Sequence, residues 1–260
     1  MGSSDFPRTY RDDAVVLRTQ KLAETDRIVI LLTRKHGVVH AVARGVRKSS
    51  SRIGARLEPL MFVDVSLRSG KQLHTVTQIE TKRAYAAGIM VDFDAYAVAL
   101  VLTELVEQLS NFESEAQSAL FDLLAGALSV LSRKTHMPDD VLNAFLLRSM
   151  LLAGWGISMD RCAVCGESKD LRWFSFEAGL LCDECARASV ATVSSPVHSR
   201  IVDYMRIVFE GRWDDLVFSP TSDISPRVRY LLIRYVQWQL ERPLKSVSLI
   251  EKDSYLGYSS

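Results

Sequence analysis

RIVILLTRKHGVVHAVARG, Arg27 to Gly45, holds two β-branched runs separated by a charged turn that ends in glycine. That is the pattern of two half-buried antiparallel strands joined by a short connection. Working outward, AVVLR (14–18) precedes the pair, and LMFVDVSLRSG (60–70) and LHTVTQIE (73–80) follow it. Five short strands in about 75 residues fit a small closed barrel, with an OB-type barrel the first choice and an SH3-like barrel the second.

The period changes at Asp92. DFDAYAVALVLTELVEQLS (92–110), ESEAQSALFDLLAGALSVLSR (113–133) and PDDVLNAFLLRSMLLAGWG (138–156) place apolar residues at helical spacing, each beside an acid or proline suited to a first turn. These three are expected to pack as a helical bundle. Two further helices are expected in SPVHSRIVDYMRIVFEG (195–211) and SPRVRYLLIRYVQWQLE (225–241), each with serine as N-cap and proline at the first helical position. The second carries Val228, Leu231, Leu232, Tyr235, Val236 and Trp238 on a broad stripe that reads as core. The fold class is therefore α+β and multidomain: an OB-fold β-barrel over residues 1–83, then a helical domain over 84–260 with a zinc-ribbon-like insert at 161–187.

That insert, CAVCGESKDLRWFSFEAGLLCDEC, sets Cys162 and Cys165 two residues apart and Cys182 and Cys185 likewise. Two such turns can close a four-thiolate shell around one ion, and LRWFSFEAGLL between them reads as the hairpin that brings the turns together. Four cysteines leave no open position for water, so one structural Zn²⁺ is expected rather than a catalytic one.

The 260 residues carry a net charge of +1 with 48% hydrophobic residues, enough to build a substantial core. No apolar run reaches the length of a membrane span and the start, MGSSDFPRTYRDD, lacks the apolar stretch of a signal peptide. A soluble cytoplasmic protein without membrane partners is expected. The small net charge hides an asymmetry: residues 1–83 hold 16 Lys/Arg against 8 Asp/Glu, a balance of +8, and the rest of the chain balances at −7. Sign asymmetry of this kind points to nucleic acid or acidic partners.

The positive charge is densest in RGVRKSSSRIGARLEP (44–59), where Arg44, Arg47, Lys48, Arg52 and Arg56 meet no acid before Glu58. Five cations on the phosphates of a single strand would give log K a slope near −3.5 against log salt, from about −0.7 per contact. Between Arg11 and Lys82 the only aromatic is Phe62, which the strand pattern would bury. Binding there is expected to hold the backbone and leave bases free for pairing, since sequence-tolerant stacking needs aromatic side chains. No Gly-rich phosphate loop, Gly-x-Ser-x-Gly elbow or His-Glu-x-x-His occurs, the five histidines are scattered, and Asp139-Asp140 reads as helix capping, so no enzyme is expected.

The order of these parts resembles the RecO family of bacterial recombination mediators over essentially the whole chain. LAETDRIVILLTRKHGVVHAVARGVRKSSSRIGARLEP is similar to the family's N-terminal signature, Glu-x-Asp-x-Ile-Val, Thr-x-x-x-Gly and Ala-x-Gly-x-Arg leading into a basic segment. NAFLLRSMLLAGWGISMDRCAVC resembles its helix ending in Gly-aromatic-Gly before the cysteines, and RPLKSVSLI its Leu-Lys-Ser motif. The resemblance implies an OB-fold that binds single- and double-stranded DNA and a helical domain with, in many members, a four-cysteine zinc module. It also implies annealing of strands coated with single-stranded DNA-binding protein (SSB), assistance with RecR in loading RecA, association with the nucleoid during repair, and no covalent chemistry. In the family the acidic SSB tail meets a basic residue, in some members just before the phenylalanine matching Phe145. Asn143-Ala144 stands there in this chain, which moves the expected contact to Arg148 one turn on. Two other readings are a zinc-stabilised protein adaptor that does not bind DNA, and a zinc-dependent deacylase, which would need a Gly-rich dinucleotide turn the sequence lacks.

Overall fold

Strand β1 (Thr9–Lys21) is long enough to serve two neighbours. Thr9 to Val15 pair with β4 (Met61–Arg68), while Ala14 to Lys21 pair with β2 (Arg27–Thr33) across a register shift between Val16 and Arg18. An irregularity of this kind bends a strand and increases its twist, which lets one strand turn the corner of a barrel. β2 pairs in turn with β3 (Gly37–Ala43), β4 with β5 (His74–Ala84), and a short parallel contact of Ala41 with His74 and Val42 with Thr75 closes the order β1-β2-β3-β5-β4. This is the expected OB-type barrel in a computed structural model that describes residues 7–47, 53–109, 114–168, 170–188, 194–216 and 223–251, without the side chains of 114 and 115. Alternate residues of the strands, among them Val16, Val29, Leu31, Val39, Ala41, Val63, Val65 and Leu67, fill its interior.

Helices α1 (Tyr85–Ile89), α2 (Phe93–Gln108) and α3 (Ser114–Arg133) follow. Asp92 caps α2 by accepting from the Ala95 N–H at 3.1 Å, as the acid at its start foretold. The helices expected as one bundle belong to two compact units, α2 and α3 to the first and the next helix to the second. α2 and α3 pack on each other and on the barrel strands, and the compact units of the chain divide between Arg133 and Lys134. α2 is buried nearly all round, at Ala95, Ala97, Val98, Ala99, Val101, Leu102, Leu105 and Val106, because strand, helix and helix surround it. The Arg18 guanidinium fastens β1 to it through two bonds of 2.6 Å to the Glu107 carboxylate. Arg34 reaches Asp122 of α3 at 2.6 Å and lies over the Phe121 ring. Phe62, expected to be buried, is only half-buried, set edge-on to Phe121 with Tyr85 parallel to it.

Beside Arg34 the histidines are less scattered than their sequence positions suggest. The buried Asp12 carboxylate accepts from Lys35 N–H and sits 2.8 Å from His36 Nδ1, while the Tyr10 hydroxyl lies 3.1 Å from His74 Nδ1. Burial, then the nearby His36, lowers the His74 pKa.

The second unit is built on α4 (Pro138–Leu152), which packs against α6 (Ser199–Glu210) and α7 (Ile224–Leu240). Between α4 and α6 in the chain lie β6 (Leu171–Ser175), β7 (Gly179–Cys182), the short α5 (Asp183–Ala188) and β8 (Ser194–Pro196), the strands forming a sheet in the order β7-β6-β8. A last short helix, α8 (Ser248–Glu251), ends the described chain. Ser195-Pro196 therefore does not open a helix: both residues pair with β6, and α6 begins three residues later beyond His198. Ser225 is not an N-cap either. It lies inside the first turn of α7, where its hydroxyl donates to Asp140 at 2.7 Å and lies 2.8 Å from the Tyr204 hydroxyl. Asp140 accepts from Tyr204 at 2.5 Å and Asn143 Nδ2 reaches Tyr204 at 3.0 Å, all in the core where α4, α6 and α7 meet. The acid read as a cap is thus the centre of a buried network, because apolar neighbours leave its oxygens no water. Trp238, read as core, is 55% exposed.

Truncation of Asp140 to alanine removes the charged acceptor that the Tyr204 and Ser225 hydroxyls share. We expect Asp140→Ala to lower stability in equilibrium urea unfolding by about 1.5–3 kcal/mol, the range for buried hydrogen bonds to a charged group, whereas Asp139→Ala, at a partly exposed ion pair with Arg229, should cost less.

Candidate nucleic-acid interface and metal centre

The basic segment leaves the barrel from β3 and returns to it at β4. Its departure is fixed by the β1–β2 loop. Gly45, in the left-handed region at φ +66, donates its N–H to Asp26 Oδ1 at 2.8 Å. The Arg47 N–H meets the Thr25 carbonyl at 3.0 Å, and its Nη1 donates to the carbonyls of Ala23 and Glu24, each at 2.9 Å. Glu-x-Asp and Gly-x-Arg, far apart in the sequence, are therefore two halves of one clasp. The return is fixed as well: a 3-10 turn over Gly54–Leu57 buries Leu57, Arg56 Nη1 donates to the Ile79 carbonyl at 2.9 Å, and Arg27 pairs with Glu58 at 2.6 Å. Gly54 comes so close to the start of the segment that a Cβ there would lie 2.4 Å from the Val46 carbonyl oxygen. The chain leaves and re-enters the barrel at one place.

The five expected phosphate contacts are thus unequal. Arg44 is exposed and meets no acid among the described residues. Arg47 and Arg56 are exposed too, but each spends part of its guanidinium on backbone carbonyls. Lys48 and Arg52 lie outside the described residues. Much of the surrounding charge is compensated: Arg11 by Asp64, Arg18 by Glu107, Arg34 by Asp122, and Lys82 by Asp13. Two of those acids come from α2 and α3, and over residues 1–133 the balance falls to 17 Lys/Arg against 15 Asp/Glu. Exposed cations without an acid partner among the described residues also occur elsewhere on the barrel, at Lys21, Arg68, Lys71 and Arg83; the basic segment differs in gathering its cations in one stretch that meets no acid before Glu58. Asp26, Arg27 and Glu58 escape a reading of the sequence because nothing local marks a clasp between loops.

The four cysteines come together as their spacing foretold. Their sulfurs all lie within 4.8 Å of one another. At a Zn–S distance of about 2.3 Å a tetrahedral ion sets sulfurs roughly 3.8 Å apart, so the cluster fits such an ion. The first knuckle turns at Gly166, φ +72, whose N–H bonds the Cys162 carbonyl at 2.9 Å. Cys182 ends β7 and Cys185 sits in α5, with the β6–β7 hairpin between the pairs as expected. Burial would raise the Cys162 thiol, but the N–H groups of Cys165, Cys182 and Val164 and the Cys165 side chain bring it down to about 6. Burial and the three neighbouring thiols push Cys185 up to about 12. Four thiolates this close need a cation between them, which is the chemistry of a metal site.

Arg148 lies in α4 with its guanidinium turned to the end of α6: Nε donates to the Phe209 carbonyl at 2.9 Å and Nη2 to that of Val208 at 3.1 Å. Burial lowers its pKa. It satisfies carbonyls that a helix end leaves without partners. Asn143, on the same helix, is fully buried.

Comparison with known proteins bears on both regions. Residues 8–85 match the family described as recombination protein O N terminal, and residues 90–248 match recombination protein O C terminal. The protein from Bifidobacterium animalis subsp. lactis named DNA repair protein RecO is 44% identical over 93% of this chain and 99% of its own length. Proteins of the same name from Frankia casuarinae and Thermobifida fusca are 41% and 38% identical, each over 94% of this chain and 98% of their own. With both family domains matched in order and relatives similar along nearly their full length, this chain belongs to the RecO family.

Proposed function

We propose that the chain acts in DNA repair and recombination as a mediator. It binds single- and double-stranded DNA through the β3–β4 segment, anneals complementary strands, and with RecR assists RecA in loading onto SSB-coated single strands. The observation that carries the reading is the exposed, acid-free Arg44 at the edge of a segment whose two ends are clasped to the barrel. A surface of fixed cations without aromatics suits backbone contacts that leave bases available for pairing. The family membership and the names of the relatives support the same reading. It involves no covalent chemistry and takes place in the cytoplasm at the nucleoid. Docking of the acidic SSB tail at Arg148 belongs to the same proposal, although that guanidinium already closes the end of α6.

Within this reading Cys162, Cys165, Cys182 and Cys185 hold one Zn²⁺ whose role is structural, tying the two knuckles and the hairpin into a module with few apolar residues of its own. Cobalt(II) substitution should give the visible bands of a tetrahedral thiolate site, and Cys182→Ser should abolish them together with the stoichiometric metal found by elemental analysis. A protein that retains one equivalent of metal after this change would contradict the assignment.

Phosphate binding is tested by anisotropy of a labelled oligonucleotide across roughly 50–200 mM salt, the window in which such contacts register. Arg44→Glu should weaken binding and flatten the slope of log K against log salt by about 0.7 for single strands, with the thermal melt unchanged. Adding Lys48→Glu and Arg52→Glu should flatten it further. Binding that does not respond to salt, or no saturable binding by the parent, would favour a protein adaptor instead.

A further inference from the structure

α7 presents a surface of different chemistry from the barrel. Its 17 residues include three arginines and no acid. Arg229 turns to Asp139 at 2.7 Å. The exposed residues Arg227, Tyr230, Arg234 and Trp238 recur every three or four positions and so share one face of the helix. Tyr230 is 49% and Trp238 55% exposed, large aromatic surface left in water. The Arg234 guanidinium lies between them along the helix, 5.6 Å from the Tyr230 ring and 4.9 Å from that of Phe176, and its Nη1 donates to the Tyr230 hydroxyl at 3.3 Å. Phe176 belongs to the turn of the β6–β7 hairpin, which is pinned to α7 by the Gln239 amide donating to the Glu177 carbonyl at 2.8 Å. The face is therefore held in place before any partner arrives.

Two flat rings about 12 Å apart along the axis, at 1.5 Å per residue, with a guanidinium between them and no acid in the helix, fit one kind of occupant. Guanidinium and aromatic planes in alternation stack bases without regard to sequence, and the positive charge suits phosphates. An acidic peptide would use the charge but has no need of two exposed rings flanking it. Glu177 and Glu241 border the Trp238 end, which places the phosphate contacts toward Arg227 and Arg234. We propose that Arg227, Tyr230, Arg234 and Trp238 form a second contact for single-stranded DNA. There bases stack on Tyr230 and Trp238, complementing a barrel that grips the backbone alone. The proposal rests on the DNA-binding reading above but concerns different residues.

The test uses the full-length, metal-loaded chain with labelled oligothymidylate, an abasic strand of the same length, and an acidic peptide as competitor. Tyr230→Ala/Trp238→Ala should weaken oligothymidylate binding by about fivefold or more for each ring removed, leave abasic-strand binding equal to the parent's, and leave the thermal melt unchanged. Trp238→Phe should keep most of the affinity yet lose the tryptophan quenching that DNA produces in the parent. Equal oligothymidylate affinity of parent and double variant, or quenching that persists in Trp238→Phe, would overturn the proposal. So would an acidic peptide whose binding alone depends on the two rings, because the face would then serve a protein tail. A parent that binds no DNA removes this proposal together with the reading beneath it, whereas a binding parent with an unimpaired double variant removes this proposal alone.

Discussion

Closure of the barrel through β1 is the constraint on which the N-terminal unit depends. A five-stranded sheet left open would present two edges of unpaired N–H and C=O groups. β1 prevents this by pairing with β4 along its first half and β2 along its second, with Ala14 and Val15 serving both. The bend near Val16 and the parallel meeting of β3 with β5 then leave one connection, β3 to β4, with both ends anchored beside the β1–β2 loop. The basic segment is placed by this closure. Its arginines do double duty, part holding backbone carbonyls and part facing water.

The two parts of the chain solve the problem of buried polarity differently. In the first unit charges are paired mainly at the periphery, strand to helix, through Arg18 with Glu107 and Arg34 with Asp122, with Asp12 alone buried beside His36 among the described residues of the barrel strands. In the second, Asp140, Tyr204, Asn143 and Ser225 form a network inside the core of α4, α6 and α7. The four-cysteine module adds a third device, in which one cation would replace the apolar area that a short hairpin cannot supply.

Much of this was legible in the sequence because two-residue alternation and Cys-x-x-Cys spacing are local signals. The five barrel strands and the five longer helices lie close to where their periods put them, and the four sulfurs converge. Helical periodicity, however, reports that a face is apolar and not what it meets, so the packing of α2 and α3 on barrel strands is not legible in their sequence. Ser195-Pro196 suits a helix start and an edge strand equally, and only pairing with β6 decides between them. The apolar stripe of α7 ends short of Trp238, which is largely exposed. The charge asymmetry at residue 83 overstates the barrel's positive field, because acids of α2 and α3 face Arg18 and Arg34.

The central claim is that the β3–β4 segment of the barrel holds strands by their phosphates and leaves the bases there free to pair. Annealing of complementary strands, with and without a coat of SSB, tests it most directly, since it demands DNA binding and tolerance of a partner at once. The account predicts that the metal-loaded chain accelerates annealing of both naked and coated strands and that Arg44→Glu slows it. Annealing no faster than without protein, or acceleration unaffected by charge reversal in the basic segment, would contradict it.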